Sequence, residues 1–144
     1  MAAAFLEYGI ESALQQALAA ANGAQVVLLQ ELTLSPYFCW SPDVPDALAR
    51  YGEDVHAGPT AALARAAAAQ HGICVHASLY ECAADGRGFN TAICVGPDGS
   101  LLARTRKTHI PEFDNYHEDR YFLPAEEDCP VVGVASARFG FPTC

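Results

Sequence analysis

Basic residues are scarce in this chain. Lysine and arginine together number 8, against 17 aspartate and glutamate residues, and the formal net charge at neutral pH is −9. An acidic surface of this kind repels the phosphates of nucleic acids and the headgroups of anionic lipids. The composition therefore argues against a nucleic-acid-binding protein and against a partner of anionic membranes.

Long apolar runs and an early basic cluster are also lacking. No stretch approaches the roughly 20 apolar residues that a membrane-spanning helix needs. The first basic residue is Arg50, and the N-terminal segment carries Glu7 and Glu11. Secretory and mitochondrial targeting segments instead need positive charge near their start. We therefore expect a cytoplasmic protein.

The six cysteines include no C-x-x-C pair. Several lie in apolar, strand-like stretches such as Ile73-Cys74-Val75, where a free thiol behaves as a small hydrophobic side chain. The sequence gives no sign of the oxidising compartment that a disulfide scaffold needs. We expect five of the six to be reduced and buried, namely Cys39, Cys74, Cys82, Cys94 and Cys129.

A metal site is the alternative use of these cysteines together with the histidines. None of the residues has the usual ligand spacing, so no metal is expected. His76 follows the strand-like stretch at Cys74 and has no neighbouring ligand set, which favours a hydrogen-bonded structural histidine. The other histidines considered are His56, His71, His109 and His117.

The first part of the chain predicts one helix and one strand. The chain has 144 residues, the size of one ordinary domain, and 51% of them are hydrophobic. Apolar residues at helical spacing predict a helix over 10–21 that Gly23 ends. The run Val26–Leu29 predicts a strand buried on both faces, and Glu31 lies where this strand emerges.

The second part alternates a helix with strands. Gly58-Pro59 opens a helix over 60–70, and Gly72 ends it. Strands are predicted at 73–79, 89–96, 100–106 and 131–135, with turns at 83–88 and 97–99. This order predicts an α/β fold with a mixed sheet, in which the strand over 100–106 delivers Lys107 at its end.

The stretch from Ser35 to Asp46 is an aromatic loop with three prolines. It could form the wall of a pocket near Glu31, or it could be an ordinary packed loop, and the sequence favours neither.

Three residues have the chemistry of thiol-dependent acyl transfer. A thiol attacks a carbonyl carbon as its thiolate, so Cys144 needs a base or a nearby cation. Lys107 could stabilise the oxyanion that then forms, and Glu31 could move the protons. Spacing alone does not establish this set, because such residues occur far apart in most proteins.

The surrounding motifs make the set specific. The chain resembles the nitrilase (carbon–nitrogen hydrolase) superfamily, and within it the N-carbamoylputrescine amidases, with the β-ureidopropionases as close relatives. The first motif is carried by 24–32 and 36–39, the second by 89–92, 96–99 and 106–111, and the approach to the nucleophile by 139–144. The stretches Tyr116-His117-Glu118 and Tyr121-Phe122 support the closer resemblance.

The resemblance implies a truncated, partial four-layer α-β-β-α sandwich, with 1–144 as the N-terminal portion of a single domain. It implies hydrolysis of a small carbamoyl or amide substrate without metal or organic cofactor, and a homo-oligomer in the full-length protein. By resemblance Glu31 is the base, Lys107 the oxyanion stabiliser and Cys144 the nucleophile. Glu118 is a second positioning carboxylate, or else a solvated loop charge beside Asp119 and Arg120. The candidate substrate-binding residues are Tyr37 and Asn115.

The chain departs from the family pattern in three places. The family has a strand before the first helix, it continues well past the cysteine, and it has Pro-Gly-Asp where this chain has Pro124-Ala125-Glu126. We expect apolar faces or strand edges to be exposed in the isolated chain, with low stability or self-association. The alternative to an enzyme is an inactive fragment that serves as an interaction module.

Overall fold

The structure, a computed structural model, describes residues 19–20, 22–134 and 136–143. Most of the helix expected over 10–21 lies outside these residues, and so does Cys144. Residues 19 and 20 are helical, and Gly23 follows with φ +82°. This left-handed conformation is the one predicted for a glycine that ends a helix.

A five-stranded mixed sheet forms the centre of the described chain. The long strand β3 pairs in parallel with two short strands, β1 and β2, and antiparallel with β4, which pairs antiparallel with β5. The predicted α/β fold with a mixed sheet is confirmed. The strands are β1 (Val26–Leu28), β2 (Gly52–Glu53), β3 (Cys74–Cys82), β4 (Gly88–Val95) and β5 (Leu101–Arg106).

One face of the sheet is covered by an alanine-rich helix. The short helix α1 (Ala47–Tyr51) precedes it, and the covering helix α2 spans Pro59–His71. Small side chains let α2 lie close to the sheet, and its fully buried alanines pack on apolar residues of β3 and β4. Gly72 ends α2 with φ +65°, as predicted.

The start of α2 is held by a carboxylate from β2. Glu53 accepts hydrogen bonds of 2.8 Å from the backbone N–H and from the hydroxyl of Thr60. Both residues are buried. A carboxylate at this end of a helix satisfies free amide groups and complements the helix dipole.

The opposite face of the sheet carries the C-terminal segment. A hairpin of β8 (Val131–Val134) and β9 (Ala137–Gly140) precedes Phe141, which packs with Cys94 and Ala103. The ring of Phe141 stacks on His76 with a centroid distance of 5.3 Å. Phe141 therefore lies on the face of the sheet opposite α2.

Several expectations need correction. Val27 is buried but Leu28 is 64% exposed, so β1 is buried on one face only, because no described element covers the face on which Leu28 lies. Nδ1 of His76 is buried without a hydrogen-bond partner among the described residues. The histidine packs as an aromatic ring instead, and burial lowers its pKa.

The five described cysteines are all free, and three of them, Cys39, Cys74 and Cys94, are buried as predicted. Cys129 is exposed and Cys82 is partly exposed, so burial was wrong for these two. Cys82 is the last residue of β3, and Cys129 lies in the irregular segment before β8, so the sheet does not cover either side chain fully.

Short elements escaped the sequence patterns because two or three residues carry no periodicity. The strands β6 (Glu112–Phe113) and β7 (Tyr116–His117) form a small hairpin. Two 3-10 turns span Phe38–Trp40 and Glu118–Arg120. Among the described helices, none is long and apolar enough to cross a membrane.

The contact between β2 and α2 gives a first prediction. A Cβ at Gly58 would lie 2.6 Å from the carbonyl oxygen of Asp54 and 2.8 Å from Glu53. We expect Gly58→Ala to lower the free energy of unfolding by about 1–3 kcal/mol, because this overpacking displaces the carboxylate that holds α2. Urea denaturation measures the change.

Gly133→Ala is the matched control, since a Cβ there meets nothing within 4 Å. This variant should stay within about 0.5 kcal/mol of the parent. Equal stability of the two variants would contradict the proposed packing.

Candidate active site

Glu31 is held by a tight turn that follows β1. The hydroxyl of Thr33 accepts a hydrogen bond from the backbone N–H of Ser78, and the N–H of Thr33 donates to the carbonyl of Ser78, at 3.0 and 2.8 Å. Leu32, the buried residue between Glu31 and Thr33 in the sequence, has φ +51°. A leucine adopts this left-handed conformation only when its surroundings enforce it. The turn is therefore fixed to β3, and it presents Glu31 at the edge of the sheet.

Lys107 follows β5 and is almost fully buried, with 1% of its side chain exposed. Its backbone N–H donates to the carbonyl of Asn90, and its own carbonyl accepts from Ala125. The ammonium Nζ lies 3.1 Å from Oε1 of Glu31, and 3.0 and 2.8 Å from the two carboxylate oxygens of Glu118. One cation thus lies between two carboxylates.

Lys107 is an ammonium ion at neutral pH. Burial by itself lowers the pKa of Lys107, but the hydrogen bond to Glu118 and the charge of Glu31 raise it by more. The net result is a pKa above the ordinary lysine value of 10.5. Because two carboxylates face this one cation, Glu31, Lys107 and Glu118 together carry an excess of negative charge.

Glu118 is buried, with 2% of its side chain exposed. The hydroxyl of Tyr37 donates a 2.7 Å hydrogen bond to its Oε1. Burial, followed by this hydrogen bond, raises the pKa of Tyr37, so the phenol remains a neutral donor. Glu118 is thus not a solvated loop charge, in contrast to its exposed neighbours Asp119 and Arg120.

A cavity of about 510 Å³ opens onto these groups. It is lined by Glu31, Tyr37, Lys107 and Glu118 on one side, and by Pro111, Phe113 and Tyr116 on the other. A larger open cavity of about 660 Å³ lies near α1 and contains none of the three charged groups. The smaller cavity is the candidate active site because the buried charges face it.

The aromatic loop over Ser35 to Asp46 forms part of a pocket wall and also packs in the interior, the two roles between which the sequence did not decide. Tyr37 lines the cavity, whereas Phe38 and Cys39 are buried in a cluster with Leu32. Trp40 is 67% exposed and has neither role.

Arg106, the residue before Lys107, points to the helix-covered face. Its guanidinium makes a bidentate ion pair with buried Glu81, at 2.6 and 2.9 Å. Thr91 donates a third hydrogen bond, of 2.7 Å, to the same carboxylate. Glu127 then bridges Arg106 and Arg104 at the surface.

The structure brings four of the six predicted site residues into one place: Glu31, Tyr37, Lys107 and Glu118. Asn115 is exposed in the β6–β7 turn with φ +69°, a conformation that asparagine tolerates, and it does not line the cavity. The side chain of Cys144 lies outside the described residues.

Sequence reasoning missed the second layer of the site. Asn90 donates a 2.6 Å hydrogen bond from Nδ2 to Oε1 of Glu31. The available signal was the polar pair Asn90-Thr91 within a strand whose other residues are apolar or glycine, and all of which is buried. The cavity wall of Phe113 and Tyr116 had no such signal, since exposed aromatic residues occur in many loops.

The ion pairs of Lys107 generate the next prediction. We expect Lys107→Met to lower the free energy of unfolding by about 3–5 kcal/mol, because it leaves two carboxylates facing each other without a cation. The raised pKa of Lys107 means that its contribution is fully present below the ordinary lysine value of 10.5 and is lost as the pH rises through the higher folded value.

Urea denaturation between neutral pH and strongly alkaline pH measures this difference. Arg87→Met is the control, since Arg87 pairs with Asp85 on an exposed turn and should change stability little. A Lys107→Met variant as stable as the parent at neutral pH would contradict the geometry.

Comparisons with known proteins show the family to which the chain belongs. A sequence model of the family described as carbon-nitrogen hydrolase matches residues 4–144. The chain is 29% identical over 124 residues to an N-carbamoylputrescine amidase of Arabidopsis thaliana, covering 86% of this chain and 40% of that protein. It is 30% identical over 130 residues to a citrullinase of Francisella tularensis, covering 88% of this chain and 43% of that protein.

A solved structure shows the same fold. The carbon-nitrogen hydrolase of Helicobacter pylori G27 superposes with a TM-score of 0.76 at 28% identity, over 85% of this chain and 41% of that one. The predicted resemblance to the nitrilase superfamily and its fold is thereby confirmed. The chain spans less than half the length of these relatives. Since the family model covers nearly all of the sequence, the chain belongs to the carbon-nitrogen hydrolase family.

Proposed function

We propose that this chain carries the base, the cation and the thiol of an enzyme that hydrolyses a carbon–nitrogen bond in a small linear amide or carbamoyl compound. One observation carries the proposal. Nζ of Lys107 lies 2.8–3.1 Å from carboxylate oxygens of Glu31 and Glu118, in a buried position that faces a cavity. Membership of the family supports the same chemistry.

The reaction starts with a proton transfer from the thiol of Cys144 to Glu31. The sulfur then attacks the carbonyl carbon, and the carbonyl electrons become an oxyanion beside the ammonium of Lys107. When the oxyanion collapses, the carbon–nitrogen bond breaks, and the leaving nitrogen takes the proton from Glu31. An acyl or carbamoyl thioester of Cys144 remains.

Water completes the cycle. Glu31 removes a proton from the water as it attacks the thioester carbon, and Lys107 again faces the oxyanion. The carbon–sulfur bond then breaks, and the proton returns from Glu31 to the sulfur. With a carbamoyl group, the released carbamic acid decomposes to carbon dioxide and ammonia.

Glu118 and Tyr37 hold the cation in place. The carboxylate of Glu118 contacts Nζ through both oxygens, and the phenol of Tyr37 fixes that carboxylate from the other side. In this proposal Tyr37 acts through Glu118 as well as through its ring, which forms part of the cavity wall.

N-carbamoylputrescine is the substrate we favour, with putrescine, carbon dioxide and ammonia as products, in polyamine biosynthesis. The cavity has aromatic walls and an excess of negative charge, which suits a neutral carbamoyl group with a cationic tail. The two relatives are named for N-carbamoylputrescine and for citrulline, both of which contain a carbamoylated nitrogen. An anionic substrate such as N-carbamoyl-β-alanine fits this charge less well.

Ammonia release tests the proposal. The protein is expressed from its complete gene, because the chain spans less than half the length of its relatives. Turnover is compared on N-carbamoylputrescine, citrulline and N-carbamoyl-β-alanine. We expect the highest kcat/KM on N-carbamoylputrescine. If the protein hydrolyses neither these compounds nor a wider set of amides, the alternative of an interaction module is favoured instead.

The catalytic roles predict large losses of rate. Cys144→Ala and Glu31→Gln should each lower kcat by about a thousandfold or more, because each removes a group that the reaction uses directly. Steady-state assays measure the loss. Cys129→Ala is the control for the thiol, since Cys129 is free, exposed and outside the cavity, and it should retain full activity.

The role of Tyr37 gives a separate prediction. Tyr37→Phe keeps the ring but removes the donor to Glu118, and we expect kcat to fall about tenfold with little change in KM. Tyr80→Phe is the matched control, because its hydroxyl donates a 2.8 Å hydrogen bond to the carbonyl of Tyr121, outside the cavity. It should lose comparable stability and keep its kcat, and equal activity losses in the two variants would contradict a role for Tyr37 at the site.

The cytoplasmic location and the homo-oligomer remain predictions that accompany this proposal. Light scattering on the purified protein measures its assembly state.

A further inference from the structure

Asn90 is a polar residue in a strand that is buried along its whole length. Its side chain is fully buried, with 0% exposure. A buried amide is costly unless its donors and acceptors are satisfied. Nδ2 donates to Oε1 of Glu31 at 2.6 Å, and Oδ1 accepts from the hydroxyl of Ser78 at 3.4 Å.

The orientation of this amide follows from the chemistry of its partners. An ionised carboxylate can only accept hydrogen bonds, so Asn90 must present its NH₂ group to Glu31. Its oxygen then faces Ser78, whose hydroxyl can donate. The backbone carbonyl of Asn90 also accepts the 2.8 Å hydrogen bond from the N–H of Lys107. One residue therefore holds both the base and the backbone of the cation.

The two oxygens of Glu31 are not equivalent. Oε1 accepts hydrogen bonds from Asn90 at 2.6 Å and from Lys107 at 3.1 Å. No described residue donates to Oε2. The side chain of Glu31 is 32% exposed and lines the cavity, so this second oxygen remains available there.

We infer that Asn90 is a positioning residue for the base: with Lys107 it occupies Oε1 of Glu31, and it leaves Oε2 as the oxygen that exchanges protons with the thiol and the substrate. This inference rests on the proposed function for the roles of Glu31 and Cys144. A hydrogen bond to the charged form of a carboxylate favours that form. Asn90 thus keeps Glu31 ready to accept a proton, and it fixes the direction from which the proton arrives.

The pH dependence of kcat/KM tests the inference, because its acid limb reports protonation of the base in the free enzyme. Asn90→Ala removes the donor, and Asn90→Asp replaces it with an oxygen of nearly the same shape. We expect the acid limb of Asn90→Ala to move to higher pH by about one unit, the effect of losing one hydrogen bond to a charged group. The limb of Asn90→Asp should move further in the same direction, because a second carboxylate then faces Glu31. At neutral pH kcat should fall about tenfold or more, with KM changed by less than about threefold.

A second readout needs no substrate. Iodoacetamide alkylates the thiolate of Cys144, with formation of a carbon–sulfur bond and loss of iodide, while Glu31 takes the thiol proton. Peptide mass spectrometry separates Cys144 from the exposed Cys129. We expect the pH at which labelling of Cys144 begins to rise in both variants as well. If the parent protein hydrolyses no amide but the labelling of Cys144 still begins at higher pH in the Asn90 variants than in the parent, the proposed substrate chemistry fails and the role of Asn90 stands.

Two controls separate positioning from stability. Asn22→Asp makes the same chemical change at an exposed turn and should leave both pH profiles unchanged. Ser78→Ala removes the hydroxyl that donates to the amide oxygen, and it should shift both profiles in the same direction by a smaller amount. This variant decides the question if the Asn90 variants do not fold.

The inference is overturned if folded variants of Asn90 show no shift in pH dependence in either assay. If the Asn90 variants do not fold, the same result in Ser78→Ala overturns it. A parallel loss of kcat without any shift in pH would also overturn it, because it would indicate a structural role alone.

Discussion

The buried ammonium of Lys107 is the interaction on which the rest of the site depends. A lone charge at this depth would be too costly, and it is tolerated because Glu31 and Glu118 both lie within 3.1 Å. These residues come from the turn after β1, the end of β5 and a 3-10 turn, and Lys107 alone is 76 positions from Glu31 in sequence. The fold therefore has to bring three distant segments together before the cation can be desolvated.

Local sequence patterns predicted the elements that local chemistry controls. Gly72 ends its helix, and the Pro97-Asp98-Gly99 turn leads back into β5, because backbone preferences decide both. The same reasoning located Glu31 and Lys107 after their strands. Tyr37 and Glu118, by contrast, meet across 81 positions, and no periodicity within either segment encodes that contact.

The predictions that were wrong concern contacts between distant segments, which local sequence patterns do not encode. An apolar run indicates that its residues prefer burial, but it does not show which faces of a strand other elements cover. Leu28 is therefore predicted to be buried, whereas no described element covers it. His76 was given a hydrogen bond because polar groups usually have one, whereas stacking on Phe141 depends on a segment more than sixty positions away. Asn90 lies within a motif that predicts no role for it, since its contact with Glu31 is fixed only by the fold.

Arg106 and Lys107 are adjacent cations that project to opposite faces of the sheet, the first to Glu81 and the second to the cavity. Side chains alternate along a strand, so a shift of β5 by a single residue would exchange the two faces. The guanidinium fork fits the paired oxygens of Glu81, and the shorter, single-headed ammonium cannot reproduce that fit. A sheet with β5 out of register would lose the ion pair of Arg106 with Glu81 and is less stable for that reason. Glu81 therefore favours the register that directs Lys107 to the cavity, although it does not contact Lys107.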